Sequence, residues 1–145
     1  MTTRVKQAAQ RLGIEPHQLD AMLGRPQGWA WDLFAYEDEA PTAISLADLR
    51  DVAHALHVTP AYLVNHDATP GQPIGFMELQ AILRRHLETS GLDVAAFGDQ
   101  VGWALEPFLA NPEAAWDWNA DGLRDICGGL GIASRDVLAW MERGV

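Results

Sequence analysis

Histidines, a lone cysteine, acids and tryptophans are the side chains through which this chain could do chemistry. His54 and His57 stand three apart, so on a helix they share a face and could grip one metal ion. Two imidazoles leave a tetrahedral ion incomplete, and spacing fixes no third ligand, so no metal site is expected. Cys127 is the single cysteine, which excludes an internal disulfide and fits a reducing compartment. It stands on an apolar stripe, where a thiol serves as a small core group rather than a nucleophile. No glycine-rich phosphate loop follows a strand pattern, no nucleophile elbow occurs, and no acid has the neighbours that would mark a general base. Neither enzymatic activity nor a cofactor is therefore expected. Six tryptophans, Trp29, Trp31, Trp103, Trp116, Trp118 and Trp140, remain as large side chains suited to core filling or to anchoring a protein contact.

The elements that carry these residues belong to an acidic, soluble type of chain. Of 145 residues 48% are apolar, and 10 Lys and Arg against 20 Asp and Glu give a net charge of -10. No apolar run approaches the roughly 18 positions of a membrane-spanning helix. The start, Met1 to Gln7, lacks the apolar stretch of a secretory leader, so a cytoplasmic location without a membrane partner is expected.

Helical spacing recurs twice. Leu46, Leu49, Val52, Ala53 and Leu56 superpose on Ala120, Leu123, Ile126, Cys127 and Leu130 with an offset of 74. Leu49-Arg50-Asp51-Val52 lies over Leu123-Arg124-Asp125-Ile126, and both stretches begin after a good N-cap, Ser45 and Asn119. Earlier in each copy Gly13-Ile14-Glu15 matches Gly91-Leu92-Asp93, and Leu23-Gly24 matches Val101-Gly102, now with an offset of 78. The four-residue difference is assigned to a loop, Arg25-Pro26-Gln27-Gly28, after which Trp29-Ala30 realigns with Trp103-Ala104. Five short helices are predicted in the first copy: Thr3 to Leu12, Pro16 to Leu23, Ala30 to Tyr36, Leu46 to Leu56, and Pro60 to Val64. The second copy repeats them from Phe76 to Arg143. Pro70, Gly71, Pro73 and Gly75 mark a linker, giving a domain at 1–66, a linker at 67–75 and a domain at 76–145. No segment alternates with a period of two, so an all-α fold of two tandem five-helix bundles is expected.

Gly13-Ile14-Glu15-Pro16-His17-Gln18-Leu19 with Leu23-Gly24, the stretch from Leu49 to Leu63, and its counterpart from Leu123 to Leu138 resemble the phage-repressor and Cro-like helix-turn-helix family, also called the XRE family. The resemblance spans nearly all of both copies. It implies a regulatory protein in transcription control that places its third helix in the major groove, where Arg, Lys, Gln and Asn read bases and flanking cations hold phosphates. Arg4, Lys6, Arg11 and Arg25 are the first copy's candidates for phosphate contact. Their alternative is an ordinary solvated face.

The third-helix windows depart from that pattern. Ala30 to Tyr36 and Ala104 to Ala110 contain no Arg, Lys, Gln or Asn, and each carries an acid, Asp32 or Glu106, that phosphate would repel. Pro107 removes a backbone donor, and Glu37-Asp38-Glu39 adds three negative charges directly after the first window. Residues 1–66 carry a net -3 and residues 67–145 a net -7, so neither half has the basic footprint of a nucleic-acid module. Charge thus disfavours DNA. The alternative is a protein-interaction module in which Trp31, Phe34 and Tyr36 form an apolar patch rimmed by acids, taking a basic or DNA-binding partner. The two copies could also close on each other as an intramolecular pseudo-dimer. Trp29 and Trp103, matched between copies, and Trp118, which aligns with Ile44, are expected in structural positions.

Overall fold

Caps, apolar stripes and left-handed glycines divide the chain into short helices. The computed structural model describes residues 4–35, 40–64 and 72–143, and among them every regular element is helical. Helix α1 (Arg4–Leu12) buries Val5, Ala8 and Ala9 and stops at Gly13, whose φ of 71° is the left-handed backbone that glycine adopts without penalty. An apolar stripe of Val5, Ala9 and Leu12 is the sequence expectation for this helix, but Leu12 lies 42% exposed and Ala8 takes an inward position. Helix α2 (Pro16–Met22) starts with a proline in its first turn behind a reciprocal cap between Glu15 and Gln18. Helices α3 (Trp31–Ala35) and α4 (Ala40–Ala43) follow. Ser45 then caps α5 (Leu46–Ala55) by accepting from Asp48 N at 3.1 Å, and Thr59 caps α6 (Pro60–Leu63) by accepting from Tyr62 N at 3.0 Å.

The later elements follow the same logic. Helix α7 (Phe76–Ser90) ends at Gly91, and α8 (Val94–Val101) runs from an Asp93 cap to Gly102. Helix α9 (Glu106–Ala110) leads into a 3-10 helix, Pro112–Asp117. Asn119 caps α10 (Ala120–Leu130), and α11 (Ser134–Arg143) closes the chain. The short α4 and the 3-10 helix were not foreseen, so each half holds six helical elements among the described residues rather than five. Of the predicted linker, residues 67–71 lie outside the described residues. Its end is fastened: Ile74 N donates to Asp136 O at 3.1 Å, and Gly75 sits where a Cβ would meet the Trp140 indole at 2.9 Å.

Packing within the halves is parallel. Helix α1 rests on α3 as α7 does on α9, α2 on α5 as α8 does on α10, and α5 on α6 as α10 does on α11. Packing between the halves is reciprocal. Helix α5 lies on the 3-10 helix, α10 on α4, and α6 meets α11. Where the halves touch, Ser45 and Asn119 pair as an isolated antiparallel bridge, and Leu46 N donates to Trp118 O at 2.6 Å. One contiguous buried cluster, from Val5 to Met141, runs through both halves. Arg50 of α5 reaches across to lie 4.5 Å from the Trp116 ring, which itself packs edge-on against Phe76.

Buried positions correct the alignment of the third helices and unpair Trp29-Ala30 from Trp103-Ala104. Ala30 and Leu33 are inward at α3, and Leu105 and Phe108 at α9, an offset of 75 rather than 74. The chain therefore reconciles its two offsets in two places, three residues before the third helix and one after it.

Candidate functional site

The turns that lead into α3 and α9 begin alike and are then built from opposite chemistry. After α2, Gly24 turns left-handed at φ 66°, and Arg25 N donates back to Asp20 O at 2.8 Å. After α8, Gly102 does the same at φ 79°, and Trp103 N donates to Gly98 O at 3.0 Å. From that glycine to the first buried residue of the third helix is six positions in the first half, Gly24 to Ala30, and three in the second, Gly102 to Leu105.

Asp20 holds the longer loop. Its carboxylate is 3% exposed and accepts from Gly28 N at 2.8 Å and Ala30 N at 2.6 Å. A buried carboxylate needs such donors, and here both come from the backbone of the loop it fastens. The Arg25 guanidinium lies 5.0 Å from the Trp29 ring and pairs with Asp48 in the first turn of α5. In the second half, Trp103 stands where Arg25 stands and Gly122 where Asp48 does. A Cβ at Gly122 would come within 2.3 Å of the Trp103 indole, so the ring occupies the space that an acid fills in the first half. Gly98 replaces Asp20, and a Cβ there would lie 2.6 Å from the Trp103 carbonyl. The shorter turn leaves a groove of about 380 Å³ lined by Ala95, Gly98, Asp99, Gly102, Trp103, Ala104 and Glu106.

The expected contact residues are dispersed. Arg4 donates from Nη1 to Tyr62 O at 2.8 Å and lies 4.8 Å from the Tyr62 ring, with Arg11 6.0 Å from the same ring. Lys6 is exposed on α1. Arg4 and Arg11 therefore meet at α6, whereas Arg25 is engaged at the start of α5. Trp31 is 62% exposed at the start of α3, and Glu106 is exposed in the first turn of α9. Phe34 packs against the core, so the expected patch does not include it. Tyr36, Glu37, Asp38, Glu39 and the side chain of Asp32 lie outside the described residues.

The remaining candidates have structural settings. His54 and His57 are both exposed, and among the described residues no three His, Cys, Asp or Glu side chains gather as a metal-ligand set. His57 takes the left-handed backbone, φ 58°, that Gly131 takes at 74° at the matching helix end. Cys127 is buried, and burial, with a smaller contribution from Asp136, pushes its thiol up to about 12. At neutral pH it stays protonated and is a poor nucleophile. Trp118 is 4% exposed, and Trp29 and Trp103 pack against the core. Among the described residues no helix is long and apolar enough to cross a membrane.

Sequence reasoning missed Asp20 and Gly122. The alignment held the signal for both, because each faces a residue of opposite character in the other half, Gly98 and Asp48. Comparison with protein-family models, with curated proteins and with solved structures finds no match for this chain.

Proposed function

We propose that the chain is a non-enzymatic regulatory protein of transcription control, built from two divergent repressor-like helix-turn-helix bundles. It acts by binding a basic protein partner through its anionic turn face rather than by reading an operator. The tandem reading is supported by the parallel packing within halves and the reciprocal packing between them, which is how a twofold relation arranges an isologous interface. The pairing of Ser45 with Asn119, matched positions of the two copies, fits residues lying beside such an axis. On this reading the halves form an intramolecular pseudo-dimer.

One observation carries the choice of partner. At the places from which the family would read bases, the chain exposes Trp31 and Glu106, and the neighbouring cation Arg25 is neutralised by Asp48. Phosphate would meet repulsion there, whereas a cationic partner is steered in by a chain of net charge -10. A second reading, binding to duplex DNA along α1, is favoured by Arg4 and Arg11 meeting at Tyr62 with Lys6 exposed on the same helix.

Anisotropy titration with a pool of randomised duplexes at low salt separates the two. No salt-sensitive binding is expected. Binding that falls steeply with salt and is lost in Lys6→Glu with Arg11→Glu would overturn the protein-partner reading in favour of the second.

A further inference from the structure

We infer that the groove between α8 and α9 is the docking place for an extended, lysine- or arginine-bearing segment of the basic partner, an inference that rests on the function proposed above. In the first half the chain occupies the equivalent turn with its own extra backbone, Pro26 to Gly28, fastened by Asp20 to Gly28 N and Ala30 N. In the second half those residues are absent and Gly98 replaces the fastening acid. What remains is an open groove of about 380 Å³ in which Gly98, Gly102, Ala95 and Ala104 keep side-chain bulk low. The groove therefore has room for an extended segment of main chain.

Charge selects the segment. Asp99 and Glu106 both line the groove, both are exposed, and no ion pair or side-chain hydrogen bond engages either among the described residues. In the first half a cation of the chain itself, Arg25, serves the neighbouring acid Asp48. The second half has neither that cation nor that acid, Trp103 and Gly122 standing in their places, so Asp99 and Glu106 are left for a charge from outside. An acidic peptide or a phosphate backbone is repelled by the same pair.

The test uses the full chain and a fluorescein-labelled peptide of alternating lysine and glycine, titrated by anisotropy at low salt. Three variants are compared with the native chain: Asp99→Asn with Glu106→Gln, a charge-matched control, Glu78→Gln with Glu88→Gln on α7, and Ala95→Phe, which fills the groove without altering charge. Thermal melts by circular dichroism establish that each is folded. The first variant is expected to weaken binding about tenfold, the sum of two exposed ion pairs, and Ala95→Phe to weaken it comparably. The control is expected to change it by less than about threefold, the general loss of long-range attraction. Equal weakening by the two charge pairs, with Ala95→Phe unaffected, overturns the groove and leaves the basic-partner reading standing. Failure of the native chain to bind the peptide overturns both.

Discussion

Replacing Gly122 by alanine probes the feature that most separates the two halves. The added Cβ would stand 2.3–2.4 Å from three atoms of the Trp103 indole, far inside contact distance, so the ring must leave its place over α10. Overpacking of this kind costs about 1–3 kcal/mol, and the gain in helix propensity from Gly to Ala returns at most about 1 kcal/mol. A net loss of about 1–2 kcal/mol is expected in urea unfolding, with an unchanged m-value. Fluorine NMR of the chain labelled with 5-fluorotryptophan resolves the six indoles, and the Trp103 resonance is expected to move most. Gly122→Asp is expected to be worse, since it buries a carboxylate against the ring. Adding Trp103→Arg rebuilds the Arg25–Asp48 solution of the first half, and the double variant should recover about 1 kcal/mol beyond additivity. A Gly122→Ala chain as stable as the native one, with the Trp103 resonance unmoved, would refute the reasoning.

Three further outcomes follow from the same geometry. Asp20→Ala strands Gly28 N and Ala30 N and is expected to cost about 2–3 kcal/mol in urea unfolding, with Asp20→Asn costing less because one acceptor oxygen survives. His57→Gly is expected to raise stability by about 0.5–1 kcal/mol because the left-handed backbone penalises a side chain, whereas Gly131→Ala lowers it by a similar amount. Folding raises the Cys127 thiol from 9.0 to about 12, so its contribution to stability is fully present below pH 9 and lost as pH rises toward 12. The loss should reach about 1 kcal/mol by pH 10, be absent from Cys127→Ala, and be accompanied by slow labelling of the native thiol by a disulfide reagent at pH 8.

Helix limits and burial were largely legible from local pattern. Pro16, Ser45 and Asn119 begin their helices, and Gly13 ends its own, because a cap or a helix stop depends on residues within one turn. The match of Cys127 with Ala53 located a core position, since equivalent stripe positions face the same way. The short α4 and the 3-10 helix carry no such local signal. Each is too brief to display a full apolar period, and each is held by packing on the other half.

Of the candidate site, the sequence revealed the acidity and the two glycine turns but not what each side chain touches. Whether Arg25 reaches DNA or Asp48, and whether Trp103 faces solvent or fills the space over Gly122, depends on residues 19 to 23 positions away. The pairing of Ser45 with Asn119 joins positions still farther apart. Periodicity and capping act over a few residues and are written into the order of the chain. Contacts between distant segments exist only once many helices have docked together, and a charge or a ring then takes whichever space its neighbours leave.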